Sequence, residues 1–229
     1  IRPNANNTFP RPPQGQGTGW RFNWSSPIHL SPHNSKTVFF GGNVLFRSVN
    51  RGDNWEVISP DLSTNNPDKL RPGVNSASPE NTGAERHCTI ITISESPIRR
   101  GVIWVGTDDG QVQVTQDDGR TWSNVTLSIP DLPANTWVSR VTASKNVVGR
   151  CYATFDGHRN NDYKTYVYLT EDYGKTWTPI TSGLPENDPA YVIKEGLQNP
   201  NLLFLGTELG LYISLDRGKS WNRFENGFP

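Results

Sequence analysis

The chain has 229 residues, with 22 Lys and Arg against 22 Asp and Glu and no basic cluster, which argues against electrostatic binding of nucleic acid. Its 21 Gly and 18 Pro are rich for a helical protein, eight Trp stand beside no Met, and no apolar run reaches membrane-spanning length. It begins at Ile1 with neither an initiator Met nor a signal-peptide pattern, and so reads as a processed or excised segment.

Residues 1–19 are rich in Pro, Gly and Asn and read as an extended arm. From Trp20 the chain divides into four units, at about 20–59, 86–126, 136–181 and 189–225. Each unit offers four strand candidates, A to D. They lie at 21–30, 36–40, 44–48 and 55–59 in the first unit, and at 88–95, 102–106, 111–115 and 122–126 in the second. In the third they lie at 137–144, 150–155, 165–170 and 177–181, and in the fourth at 191–196, 202–206, 210–214 and 221–224. The runs are short, rich in Val, Ile, Phe, Tyr and Thr, and bounded by Gly, Pro, Asn or Asp. No segment keeps a helical period over three turns. Four antiparallel strands per unit, repeated, predict an all-β propeller of four four-stranded blades.

One turn recurs between strands C and D of every unit. A Ser or Thr is followed at fixed spacing by Asp or Asn, then Gly, then Trp: Ser48, Asn50, Gly52 and Trp55; Thr115, Asp117, Gly119 and Trp122; Thr170, Asp172, Gly174 and Trp177; Ser214, Asp216, Gly218 and Trp221. The carboxylate or amide accepts backbone N–H bonds from the residues after it, and the glycine supplies a positive φ. The tryptophan opens strand D and lays its ring across the turn, which makes the motif a self-contained folding unit. Asn50 in the first copy caps a turn nearly as well as Asp does but is a poor acid or base. The four motifs are therefore structural turns and not four catalytic or metal sites.

This turn resembles the Asp-box, or BNR repeat, of sialidases, xyloglucan-degrading glycosidases, sortilin-type receptors and a plant photosystem assembly factor. The resemblance implies a β-propeller whose boxes lie away from the active face. Residues 21–34, 39–63, 104–122 and 199–221 further resemble large exported bacterial proteins described as sortilin-like (VPS10) or BNR glycosyl-hydrolase-like. That resemblance implies an extracytoplasmic setting: secreted, periplasmic or cell-surface.

In an antiparallel meander all C–D turns share one face, so the boxes line one side of the propeller. The opposite side carries the B–C turns 41–43, 107–110, 156–164 and 207–210 and the long connections between units, above all 60–86. Long loops on a rigid scaffold are where binding resides. The candidate binding residues are Asp108, Asp109, Asp156 and Glu208, with His158, Arg159 and Tyr163 from the longest B–C turn. Two functions fit. One is a non-catalytic module that binds or scaffolds a protein or peptide. The other is part of a glycoside hydrolase, xyloglucanase- or sialidase-like and acting on a glycan, in which the acidic turns furnish a carboxylate pair and the remaining catalytic groups lie outside this chain. Asp-Gly and Glu-x-Gly are also ordinary turn chemistry, and residues 96–100 do not match the Arg-Ile-Pro element of sialidases.

No catalytic residue, cofactor or metal ligand stands out. His29 and His33 are four apart, yet Pro27 and Pro32 forbid the helix that would align them on zinc. His87 beside Arg86 suits surface recognition. Cys88 and Cys151 fall in different units and either pair or remain two buried thiols. Glycosylation sequons occur at Asn6, Asn23 and Asn124. Each unit runs from A to D with no split blade to close a ring. The four blades are therefore expected to form an arc with two apolar flanks, completed by further blades in the same or another chain, a closed four-bladed ring being the alternative.

Overall fold

The computed structural model describes residues 10, 12, 19–70, 86–225 and 227. Among these, sixteen strands group four by four. They are β1 to β4 (Ile28–Leu30, Val38–Gly41, Leu45–Ser48, Glu56–Val57), β5 to β8 (Ile90–Glu95, Ile103–Thr107, Val112–Thr115, Ser123–Asn124), β9 to β12 (Trp137–Ala143, Cys151–Asp156, Tyr166–Thr170, Thr178–Pro179) and β13 to β16 (Ala190–Glu195, Leu203–Thr207, Leu211–Ser214, Asn222–Arg223). Within each group the strands pair antiparallel in chain order. One helical turn, Pro67–Leu70, is the only α-helix among the described residues. The architecture is a propeller arc of four blades. Most of the arm, and residues 71–85 of the first inter-blade connection, lie outside the described residues.

Strand lengths depart from expectation where the backbone has other partners. The first inner strand starts at Ile28, seven residues late. The Ser25 amide donates to Asn23 Oδ1, the Ser26 amide donates to the Asn23 carbonyl, and Pro27 has no N–H for a ladder. The outermost strands shrink to two residues each. In every blade the residue three after the box tryptophan makes a last bond to strand C: Ile58 to Leu45, Val125 to Val112, Ile180 to Val167 and Phe224 to Leu211.

Alternation along strand B builds the seams between blades. Phe39, Trp104, Tyr152 and Phe204 share one register position, opposite His29, Ser94, Thr142 and Lys194 of strand A. Their side chains point toward the following blade. The residues on either side of that position point toward the preceding one. Phe39 thus packs with Ile103 and Val105, Trp104 with Cys151 and Ala153, and Tyr152 with Leu203 and Leu205. Burying each such aromatic stabilises the fold by about 1.5–3 kcal/mol. Cys151 fills one of these seams, and both cysteines are free and buried. Burial pushes the Cys88 thiol up to about 12, so it is an inert thiol at neutral pH.

The boxes correct one expectation. Their polar half is as self-contained as the sequence suggests. In the third copy the Thr170 hydroxyl donates to Asp172 and accepts from the Gly174 amide, while Asp172 accepts from both the amide and the hydroxyl of Thr176. The apolar half is not self-contained, because it closes on the preceding blade. Trp122 donates its indole N–H to the carbonyl of Ile58, and Trp221 donates to that of Ile180. A methyl group on Gly119 would lie 2.5 Å from the Ile58 carbonyl oxygen, and one on Gly174 would lie 2.8 Å from Val125. Only glycine allows that approach at φ values of 90° and 82°. In the first copy Trp55 donates to its own Gly52 instead.

A second correction concerns the flanks. The incoming face of the first blade is covered by the segment read as the start of strand A. Phe22 stacks on Phe40 at 5.3 Å and on Phe46 at 5.9 Å, and Trp20 meets Phe46 edge-on at 5.3 Å. Phe40 and Phe46 are buried beneath them.

Candidate functional site

The B–C turns and inter-blade connections come together opposite the boxes and enclose three cavities. The first, of about 430 Å³, lies between the turn after β6, the connection leading into β9 and the long turn after β10. Asp108, Asp109, Asp156 and Arg159 all line it, together with His87 and Trp137.

Each carboxylate there is already engaged. Asp108 accepts from the Thr89 amide and hydroxyl, both at 2.8 Å, and from Asn23 at 3.2 Å. Burial and the neighbouring Asp109 outweigh these donors and push its carboxyl up to about 7. Asp109 accepts from the Thr64 amide and hydroxyl at 2.8 and 2.6 Å and from the Thr107 hydroxyl at 2.5 Å. The two acids thereby tie the connection after the first blade to the second. His87 Nδ1 stands 3.8 Å from Asp108, and burial lowers the pKa of its imidazole.

Asp156 organises the long turn. It accepts from the His158 amide at 3.0 Å, contacts His158 Nδ1 at 2.5 Å and lies 3.8 Å from Arg159. The 3-10 turn His158–Asn160 then aims Arg159 across the Trp137 ring, 4.1 Å from its centroid. Arg159 is 48 % exposed and covers the half-buried Trp137 ring.

A second cavity, of about 520 Å³, opens where the inner strands of all four blades meet. Asp156, His158 and Arg159 form one wall of it, and Ile28, Arg140 and Tyr191 belong to the others. The third, of about 590 Å³, is lined by Tyr163, Glu208 and Leu209, with Tyr163 53 % exposed. Glu208 accepts from the Tyr191 hydroxyl. The predicted residues are therefore distributed over three adjoining cavities. Trp137 is the main residue that sequence reasoning missed. Its signal was available: it is one of four tryptophans outside the boxes, and it opens an inner strand.

The remaining candidates serve the fold. His29 Nε2 accepts from the Glu95 amide, and His33 Nε2 lies 2.7 Å from the Ser96 carbonyl oxygen. Asn23, in one sequon, donates to Asp108. Among the described residues no group of three or more His, Cys, Asp or Glu is placed to hold a metal ion. The box face is not featureless: a cavity of about 610 Å³ lies between the third and fourth boxes, lined by Glu171, Asp172, Asp216 and Arg217 among others.

No family model matches the chain. Over 58 residues, a quarter of its length, it is 38 % identical to the vacuolar protein sorting/targeting protein 10 of Mycosarcoma maydis, of which it spans 4 %. The GH74 xyloglucanase of Xanthomonas campestris is structurally similar, with a TM-score of 0.61 and 20 % identity over 87 % of this chain and 29 % of that one. YCF48 bound to D1 peptide matches with a TM-score of 0.51 and 15 % identity, over 86 % of this chain and 51 % of that one. The chain spans about half or less of each protein, and the two structural likenesses speak for the fold alone. None of the helices among the described residues is long and apolar enough to cross a membrane.

Proposed function

We propose that this chain is a non-catalytic propeller segment of an exported, sortilin-like protein and that it binds a protein or peptide on the face opposite the boxes. One observation carries the reading. Asp108, Asp109 and Asp156 are committed to holding the loops, while Arg159, stacked on the half-buried Trp137, and Tyr163 are exposed. Arg, Trp and Tyr are the residue types that dominate interface hot spots. The weak likeness to a protein named for vacuolar protein sorting, and the D1 peptide named with YCF48, accord with peptide recognition on this fold.

A glycoside hydrolase requires two carboxylates facing a common cleft, one of them free to move a proton. Asp108 has the raised pKa of a general acid, which is the one observation favouring that alternative, yet both of its oxygens already accept hydrogen bonds from the fold.

Panning a random peptide library against the chain tests the proposal. Selected peptides are expected to lose affinity for the Arg159→Ala/Tyr163→Ala variant and to retain it for a variant reversing the charges of Arg120 and Lys175 on the box turns. Peptides with the opposite dependence would invert the assignment of faces. Hydrolysis of a panel of aryl glycosides and glycans by the chain would favour the enzyme.

A further inference from the structure

The cavity where the inner strands meet is shaped by a repeated irregularity. In each of the last three blades strand A bulges near its loop end, so that Ile91, Ser139 and Tyr191 stand opposite no residue of strand B. All three line the cavity of about 520 Å³. The Ser139 hydroxyl reaches the Ala190 carbonyl of the fourth blade at 2.6 Å, and the Thr142 hydroxyl reaches that of Ile193 at 2.8 Å. Arg140 lies between these two tethers in sequence and lines the same cavity.

Among the described residues the Arg140 guanidinium makes no hydrogen bond and no ion pair, and its Nε is buried with no acceptor. Other arginines held against the fold reach carboxylates: Arg21 meets Asp61 at 2.6 Å, Arg47 meets Glu56 and Asp118 at 2.7 Å, and Arg150 meets Glu171 at 2.6 Å. Arg140 is half-buried like several of these, yet no acid faces it. The one carboxylate in the cavity wall, Asp156, is turned to the amide and ring of His158 and to Arg159. Burial lowers the pKa of the Arg140 guanidinium with nothing to offset it, and burial and then the charge of Arg140 lower that of the Lys194 ammonium. A charged donor withdrawn from water and left unpaired is costly, and a bound anion removes that cost.

We propose that Arg140 anchors an oxyanion-binding site in this cavity, which takes a carboxylate or phosphate group. The guanidinium fork matches two oxygens of either group. Arg159 lines the same cavity and meets Asp156 only at 3.8 Å, so it supplies a second cation. The oxyanion arrives free in solution or on an acidic side chain of a bound peptide. The second source rests on the peptide-binding reading above, whereas the site itself does not.

The test compares the chain with Arg140→Gln, by melting temperature and by titration calorimetry with inorganic phosphate at constant ionic strength. In buffer without phosphate the variant is expected to melt at or above the parent's temperature, because it loses an unpaired charge. Phosphate stabilises any fold somewhat by exclusion from its surface, so the difference between the two proteins is the reading. Phosphate is expected to raise the parent's melting temperature further and to bind it about tenfold more tightly than the variant. Should Arg140→Gln not fold, Arg140→Lys serves, since it keeps the charge and removes the fork. Peptides selected on the chain then assign the source. If their Asp and Glu residues, changed to Asn and Gln, cost affinity for the parent and none for the variant, the oxyanion comes on a peptide. If no peptide is selected while the phosphate difference persists, the peptide-binding reading fails and the site serves a free anion. Equal phosphate responses of parent and variant overturn the proposal. So does a variant that melts several degrees lower without phosphate, because Arg140 is then a structural residue.

Discussion

The indole N–H of Trp221 donates to the carbonyl oxygen of Ile180 at 2.7 Å, across the seam between the third and fourth blades. Trp122 repeats the bond to Ile58 at 3.0 Å, two seams earlier, between the first and second blades. A motif that looks like a local turn is therefore also the bond between neighbours, and removing its ring opens two blades at once.

Trp177→Ala is expected to destabilise the chain by roughly 3–5 kcal/mol. The ring is buried and meets Trp104 of the preceding blade edge-on at 6.1 Å. Its indole nitrogen has no hydrogen-bond partner, so the whole loss comes from packing. Chemical denaturation of the variant measures it, and an unchanged midpoint would refute the role of the ring.

The box glycines should not be equivalent. Gly52→Ala meets only its own Trp55 at 3.6 Å and is expected to cost about 1–2 kcal/mol for the positive φ alone. Gly174→Ala and Gly218→Ala add contacts of 2.8 and 2.9 Å with Val125 and Ile180, and are expected to cost about 1–3 kcal/mol more. Equal costs at all three positions, in the same unfolding assay, would show that the seam contact is unimportant.

Asp172→Ala is expected to cost about 1–2 kcal/mol, because the Thr176 amide and hydroxyl lose their acceptor. Asp172→Asn should cost much less. Asn50 does the same work in the first box, where its side-chain oxygen accepts from the Asn54 amide. Melting temperatures of the two variants decide the point, and an asparagine as damaging as alanine would mean that charge matters more than geometry.

Asp108 gives the fold a pH dependence of definite sign. Its carboxyl ionises near 3.8 in the unfolded chain and near 7 in the folded one. Between those values the folded state keeps a proton that the unfolded state releases, so this group's contribution to stability falls as pH rises from about 4 to 7. Asp108→Asn removes the ionisation. Its melting temperature is expected to gain on that of the parent as pH rises through this window, and parallel curves would contradict the assignment.

The blades and their turns were legible because their determinants are local. Each box closes its polar bonds within eight residues, and each strand is bounded by turn residues that name themselves. The seams were less legible. That Phe39, Trp104, Tyr152 and Phe204 occupy one position follows only from the register of strand B against strand A, which the spacing of the boxes does not reveal. Residues 21–30 look like one strand, yet Trp20 and Phe22 cover a blade face while β1 starts only at Ile28. In the candidate site, the acidic turns were visible as residue types, but not the donors that occupy them. Thr64 and Thr89 lie 45 and 19 residues from the acids they bind.

The hydrogen bonds that cross between blades join adjacent blades only, among the described residues, and none runs from the fourth blade back to the first. Among the described residues the blades are coupled like a row of dominoes. Strain or unfolding at one end is felt by the next unit and fades beyond it, since stability is a sum of units and nearest-neighbour terms. It also gives synthesis a direction. Every box after the first finds the carbonyl or side chain it must close on in a blade already made, so the growing chain can lock each later unit onto its predecessor as soon as its tryptophan emerges.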